Sequence, residues 1–292
     1  MKKRRKTILL TGLIMTLSIV TATVFAQENF VHENVEKLWT SDQVFKVPES
    51  VYFDADRDVL YVANINGRST AVDGNGFISK LSPSGEVIEL KWVEGLNAPK
   101  GMGVYNGALY VTDINRVVKI DIESGAVLET FNAPEAEFLN DIAVDEMGIV
   151  YVSDMRTNEI YRVKEGTIKK WIELFDYKGP NGLYSREGRL FIGVNNYIVS
   201  VDLNSGDMMR FVSNTGGIDG LEGAYSNYFL ISDWSGKVHV VHPKENKTLI
   251  IDTTPGNINA ADIEYDPEKQ ILYVPTFNDH RIEAYSLKNY FP

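Results

Sequence analysis

The segment Leu109-Tyr-Val-Thr-Asp113 occurs, with small changes, at six places in this chain of 292 residues. It combines β-branched and aromatic residues, which favour β-strands. The other five copies are Leu60-Tyr-Val-Ala-Asn64, Val150-Tyr-Val-Ser-Asp154, Leu190-Phe-Ile-Gly-Val194, Phe229-Leu-Ile-Ser-Asp233 and Leu272-Tyr-Val-Pro-Thr276. Successive copies lie about forty residues apart, which is the length of a β-propeller blade with four short strands. The pattern therefore predicts an all-β fold, a six-bladed β-propeller with four antiparallel strands in each blade.

A propeller ring has to close on itself, and the two ends of the chain indicate how. The last repeat has only three predicted strands after Ile258, so its outermost strand has to come from elsewhere. The segment from Val35 to Val44, which precedes the first blade, is the natural donor of this N-terminal closing strand. Such closure removes the free sheet edges of an open array. Residues 27–292 are therefore predicted to form a single propeller domain.

Residues 1–26 have the pattern of an export signal. A basic stretch from Met1 to Lys6 precedes an apolar run from Thr7 to Val20, and Val24-Phe25-Ala26 has the small-x-small pattern of a cleavage site. The alternative is an uncleaved membrane anchor, but the run is short for a span and is interrupted by polar residues. We expect a signal peptide at residues 1–26 and a periplasmic or secreted protein that makes no membrane contact after cleavage.

The charge of the chain excludes several classes of partner. Five of its 29 basic residues lie in the first 26 positions, so the remainder has 24 basic and 40 acidic residues, a net charge of −16. Such an acidic body repels phosphate backbones, so nucleic acid is not an expected partner. The chain has no cysteine, which excludes disulfides and thiolate chemistry. A small-molecule substrate is the expected partner, and we expect a monomer.

In a propeller the innermost strands line a central channel, and the loops that lead into them meet at one channel mouth. One position in these loops is equivalent from blade to blade, and an apolar strand follows it. In chain order this position holds Glu49, Lys100, Asn140, Asn181, Asp219 and Ala261. Two carboxylates and two amide carbonyls form an all-oxygen set that suits a hard divalent cation, and Ca²⁺ tolerates irregular geometry better than Mg²⁺ does. The sequence therefore predicts one calcium ion bound by Glu49, Asn140, Asn181 and Asp219.

Asp and Asn are also common in turns, because their side chains bond to nearby backbone. This structural explanation is sufficient for the strand-ending residues Asp113, Asp154 and Asp233. Four oxygen-bearing side chains at one equivalent position favour a metal site instead. Asp141 and Asp262 lie one residue beyond that position, and together with Lys100 they are the candidates for substrate contacts.

Several short motifs carry a resemblance to a known family. They are Pro48-Glu-Ser-Val-Tyr-Phe-Asp54 with Leu60-Tyr-Val62, the pair Asn140-Asp141, the triplet Pro180-Asn-Gly182 and the triplet Ile218-Asp-Gly220. Through them the chain resembles the regucalcin/gluconolactonase family, six-bladed propellers of the calcium-dependent phosphotriesterase superfamily. The blade spacing extends this resemblance over the chain that follows the signal. The chain departs from the family pattern at Val51 and Phe53, where the family motif has Pro and Trp.

The resemblance implies a calcium-dependent hydrolase of lactones or related esters. In that family a Glu of the first blade, an Asn of the fourth and an Asp of the fifth hold the metal, and they match Glu49, Asn181 and Asp219. The third-blade Asn, which matches Asn140, is a metal ligand or a substrate contact depending on the branch. The residue that matches Asp219 is the usual candidate for the general base. Lys100 is a departure from the family pattern, and at the rim of the mouth its charge would stabilise negative charge on substrate or product.

Other functions share much of the blade pattern. Non-catalytic propellers of the NHL-repeat kind suggest a second hypothesis, in which the mouth recognises a sugar, peptide or protein and calcium is only structural. A strictosidine-synthase-like role ranks third, because its catalytic Glu has no assignable counterpart here. A hydrolysis screen with and without a chelator separates the first two hypotheses.

Overall fold

The structure is a computed structural model that describes residues 28–291. Two short strands, β1 (Phe30–Val31) and β2 (Glu36–Thr40), precede the first complete blade. The first two blades contain β3 (Pro48–Asp54), β4 (Val59–Asn64), β5 (Gly76–Leu81) and β6 (Val87–Leu96), then β7 (Pro99–Tyr105), β8 (Ala108–Asp113), β9 (Arg116–Asp121) and β10 (Val127–Asn132). The third and fourth blades contain β11 (Leu139–Val144), β12 (Val150–Asp154), β13 (Glu159–Lys164) and β14 (Thr167–Glu173), then β15 (Leu183–Arg186), β16 (Arg189–Val194), β17 (Tyr197–Asp202) and β18 (Met208–Ser213).

The last two blades follow the same order along the chain. The fifth contains β19 (Leu221–Gly223), β20 (Phe229–Asp233), β21 (Lys237–His242) and β22 (Glu245–Asp252), and the sixth contains β23 (Glu264–Asp266), β24 (Ile271–Pro275) and β25 (Ile282–Ser286). The only helices among the described residues are two single 3₁₀ turns, Thr254–Gly256 and Phe277–Asp279. Neighbouring strands pair antiparallel, so the six sheets confirm the predicted six-bladed propeller.

Ring closure uses the N-terminal segment as predicted. Strand β2 pairs antiparallel with β25 and supplies the missing outer strand of blade six. Trp39 anchors this strand, since its indole N–H donates to Pro83 O over 3.0 Å. The sequence did not predict that β1 would pair with β22 and add a fifth strand to blade five. The N-terminal segment therefore joins the outer edges of the last two blades.

The core lies between adjacent blades. The second strands β8 and β12 are buried along their whole length, whereas the outer strand β10 is mostly exposed. Each repeated strand segment contributes one aromatic residue to this core, and all six are buried: Tyr61, Tyr110, Tyr151, Phe191, Phe229 and Tyr273. Within residues 28–291 the structure has no helix with the length and hydropathy of a membrane span. The predicted signal peptide lies outside the described residues.

Glycines allow the innermost strands to approach one another closely. A Cβ on Gly101 would lie 2.5 Å from Asp141 Cα, and one on Gly220 would lie 2.4 Å from Ile263 N. Each of these glycines directly follows a residue at the blade-equivalent position, Lys100 or Asp219. The small residue at this point of the repeat is therefore required by backbone contact between blades.

Candidate functional site

The loops that lead into the innermost strands surround a pocket of about 420 Å³ at one end of the channel, here called the upper mouth. The five polar residues predicted to meet there all line this pocket: Glu49, Lys100, Asn140, Asn181 and Asp219. All five are buried, with at most 7% of any one exposed. The blade register read from the sequence thus brings together residues that are as much as 170 positions apart.

Strand-ending Asp and Asn side chains hold the loops that carry these residues. Asp113 accepts hydrogen bonds from Asn97 N and Ala98 N, just before Lys100, and it also pairs with Arg116. Asp154 accepts from the backbone N–H groups of Glu137 and Phe138, just before Asn140, and from those of Arg156 and Thr157. Asn64 performs the same task in blade one through a 2.9 Å hydrogen bond from Lys46 N. These residues position the site without lining it, as the turn explanation predicted for Asp113 and Asp154.

Asn181 and Asp219 are in direct contact across blades four and five. Asn181 Nδ2 donates to Asp219 Oδ1 over 2.6 Å. Burial raises the pKa of Asp219 from 3.8 to about 7, although the hydrogen bond from Asn181 opposes this rise. A carboxyl group with a pKa near neutrality exchanges protons readily at the pH at which most enzymes work.

Glu49 is the least satisfied group in the pocket. Its Oε2 is buried and has no hydrogen-bond partner among the described residues. Burial is the main cause that raises its pKa well above 4.5, and the charge of Asp219 adds to the effect while Lys100 opposes it. A buried carboxylate oxygen without a hydrogen-bond partner costs free energy. A ligand that pairs with this oxygen would remove that cost, which would strengthen its binding.

Lys100 lies in the pocket wall rather than at its rim, because only 1% of it is exposed. Its Nζ donates to Ala98 O over 2.9 Å and to Ser69 O over 3.1 Å. It also lies 4.5 Å from the centroid of the Phe138 ring. Burial lowers the pKa of Lys100, and the nearby charge of Glu49 opposes this shift. The ammonium group therefore offsets part of the negative charge of the pocket.

The polar side of the pocket fits a hard cation. Glu49, Asn140, Asn181 and Asp219 offer only oxygen donors, and one of these oxygens is buried without a partner. No cluster of three or more His, Cys, Asp or Glu side chains suited to a metal exists within residues 28–291. A cation here would therefore depend on amide oxygens and water to complete its coordination.

Asp141 and Asp262 do not line this pocket. They lie further along the innermost strands, in a second cavity of about 220 Å³ that also contains Glu222 and Glu264. Asp141 Oδ2 accepts a 2.6 Å hydrogen bond from Leu183 N, and Asp262 Oδ2 accepts one of 2.7 Å from Ser50 Oγ. Both carboxyl groups thus connect adjacent blades outside the upper mouth, and their assignment as substrate contacts stays a prediction. Side chains alternate in direction along a strand, so a shift of one residue moved them away from the upper mouth.

Sequence reasoning missed the apolar wall of the pocket. This wall consists of Ile65, Phe138, Met155, Trp234 and Phe277. Four of these residues directly follow one of the six repeated strand segments, so a second blade-equivalent position was available as a signal. The upper mouth therefore has a charged floor and an aromatic and aliphatic wall.

Comparisons with known proteins show the fold. No protein-family model matches the chain, and no curated protein matches its sequence. A catalytically inactive histidine-to-alanine variant of virginiamycin B lyase from Staphylococcus aureus, solved with quinupristin, is 16% identical, with 87% of this chain and 99% of that chain covered and a TM-score of 0.61. A streptogramin B lyase structure is 12% identical over 86% of this chain and 97% of that one, with a TM-score of 0.63. At these identities the likeness shows that the chain shares the propeller fold of these structures.

Proposed function

We propose that this protein is an exported calcium-dependent hydrolase of the regucalcin/gluconolactonase kind, which acts on a lactone or related ester at the upper mouth. The observation that carries the proposal is the unpaired, buried Glu49 Oε2 in a pocket shared with Asp219 and two asparagines. A solvent-connected pocket of about 420 Å³ has the size of a small-molecule site. The structural neighbours named above are lyases, which supports an enzymatic role for a pocket on this fold.

Each polar side chain of the upper mouth has a separate role in this proposal. Glu49, Asn140, Asn181 and Asp219 would hold the ion through their oxygen atoms. A bound Ca²⁺ would supply a Lewis acid that polarises the carbonyl oxygen of the ester. Asp219 Oδ1 is engaged by Asn181, so Oδ2 is the atom that would accept a proton from the attacking water. Lys100 is held by backbone carbonyls and would act through its charge on the carboxylate product.

Two conservative variants test the division between binding and chemistry. Asp219→Asn keeps an oxygen ligand but loses the proton acceptor, so turnover should fall by about 10²–10⁴-fold, the usual worth of a general base. Asn181→Asp keeps an oxygen and adds charge, so calcium should bind at least as well and turnover should fall less. The assay is hydrolysis of sugar lactones, alkyl lactones and aryl esters at saturating calcium, with a chelator control.

The same assay distinguishes the second hypothesis. If the wild-type protein binds calcium but hydrolyses nothing in the panel, the hydrolase proposal fails. The protein would then be a binding propeller in which the ion stabilises the mouth. Equal loss of turnover in both variants at saturating calcium would instead contradict the assignment of Asp219 as the base.

A further inference from the structure

The apolar wall of the upper mouth follows the blade repeat. The residues that directly follow the six repeated strand segments are Ile65, Ile114, Met155, Asn195, Trp234 and Phe277. Five of the six are large and apolar, and the four contributed by blades one, three, five and six line the pocket. We call these four residues, Ile65, Met155, Trp234 and Phe277, the apolar collar. The collar lies beside the oxygen-rich residues within a single pocket.

Trp234 is the most exposed residue of the collar, and it contacts the half-buried Phe277. Half of Trp234 is exposed, and its ring meets the Phe277 ring edge-to-face at a centroid distance of 5.5 Å. The backbone of Trp234 is held by Asn259 Nδ2, which donates to Trp234 O over 2.8 Å. Phe277 packs against the buried cluster of Ile65, Ala98 and Ile114. The two rings therefore form one continuous apolar surface at the mouth.

Phe277 has a backbone φ of 48°, a left-handed conformation that is rare for an aromatic residue. Such a conformation costs free energy and persists only where the surrounding structure imposes it. Here it places a large apolar side chain at the pocket, next to the exposed Trp234. This arrangement retains apolar surface at the mouth at a conformational cost, which points to a ligand that covers it.

We infer that the substrate carries an extended apolar group, such as an alkyl chain or aryl ring, which packs on Trp234 and Phe277 while its ester carbonyl faces Glu49 and Asp219. The inference rests on the proposed hydrolase function and names its substrate class. A polyhydroxylated sugar lactone fits the collar poorly, because hydroxyl groups buried against Ile65, Met155 and Phe277 would lose hydrogen bonds to water. The indole N–H of Trp234 is the single polar side-chain group that the collar offers.

The test uses γ-lactones with no side chain or with an ethyl, butyl or hexyl side chain, and gluconolactone for comparison. Each methylene buried on the collar contributes up to about 0.8 kcal/mol, so kcat/KM should rise by up to about fourfold per methylene until the collar is covered. Trp234→Ala and Phe277→Ala should flatten this dependence, so that the hexyl lactone loses more kcat/KM relative to wild type than the unsubstituted lactone does. Tyr225→Ala is the matched control, because Tyr225 is also 50% exposed but lies outside the pocket, and it should keep the full dependence.

A binding measurement separates this inference from the hydrolase proposal. The probes are cyclopentanones with the same side chains, which have the carbonyl but no ester bond, and the readout is isothermal titration calorimetry in the presence of calcium. Affinity that rises with chain length and loses this rise in Trp234→Ala supports the collar, even if no lactone is cleaved. Hydrolysis without dependence on chain length, or preference for gluconolactone, overturns the inference while the hydrolase proposal stands.

Discussion

Replacement of Asp219 by Asn should stabilise the calcium-free protein at pH 8 and have little effect at pH 4. The pKa of Asp219 is raised from 3.8 to about 7, mainly by burial. At pH 4 the group is protonated in the folded protein and only about half ionised in the unfolded chain, so the cost of burying it is small. Between pH 4 and 7 the unfolded chain gives up this proton and the folded chain keeps it, so stability falls across this window. Above pH 7 the folded protein bears the full free-energy cost of an ionised, buried Asp219.

The size of the effect follows from the size of the pKa shift. A rise of about three units corresponds to about 4 kcal/mol, since each unit is worth about 1.4 kcal/mol. For a chain of this length, about 4 kcal/mol corresponds to a change in Tm on the order of 10 °C. Asn at position 219 cannot ionise, and its amide oxygen can still accept the hydrogen bond from Asn181 Nδ2. The variant should therefore recover most of this stability.

Thermal unfolding by circular dichroism at pH 4, 6 and 8 in chelator measures the effect. Asp202→Asn is the control, because backbone N–H groups of Ser205 and Asn204 lower the pKa of this surface carboxyl and the substitution should not stabilise. Calcium at 100 times its Kd should add about 2.7 kcal/mol to the wild-type protein at pH 8 and less to the variant. A variant that melts below wild type at pH 8 in chelator would refute this account of the pocket.

Three further predictions concern metal affinity, ring closure and close packing. Asp219→Ala should weaken calcium binding by at least about 10–100-fold, because loss of even a residue that only hydrogen-bonds to a metal ligand weakens binding by this factor. Asp154→Ala should lower Tm but leave the Kd for calcium, measured by calorimetry, within about twofold of wild type. Deletion of residues 1–42 exposes the edge of β25, so the truncated protein should melt well below a chain that lacks only residues 1–26; equal melting curves would contradict the closure. Gly101→Ala should cost about 1–3 kcal/mol in denaturant unfolding, because its Cβ would lie 2.5 Å from Asp141 Cα; an unchanged midpoint would show that the blades can separate.

The repeat itself made most of the fold predictable. Strand segments about forty residues apart can bury both faces only by stacking as blades, and the shortage of one strand in the last repeat required a donor from the N-terminal segment. The additional pairing of β1 with β22 left no such signal, because two residues are too few to show a period.

The site was predictable to the extent that blade register determines it. Equivalent positions in a ring converge, so Glu49, Asn140, Asn181 and Asp219 were identified together from spacing alone. The side-chain contacts could not be identified from spacing, because spacing gives the level of a residue along the channel but not the direction of its side chain. Asp141 and Asp262 show this limit: one residue along the strand, their carboxyl groups connect blades in another cavity.

By itself, the sequence determined the blade number, the closing strand and which polar residues share the upper mouth, because all three follow from a period along the chain. Only the tertiary structure decided that Lys100 is buried against backbone carbonyls, that Glu49 Oε2 is unpaired, and that Trp234 and Phe277 form one surface. These features depend on how adjacent blades pack and on which atoms burial removes from water. Packing of that kind involves residues distant in sequence, and the repeat predicts which residues lie at the same level but not which of their atoms meet.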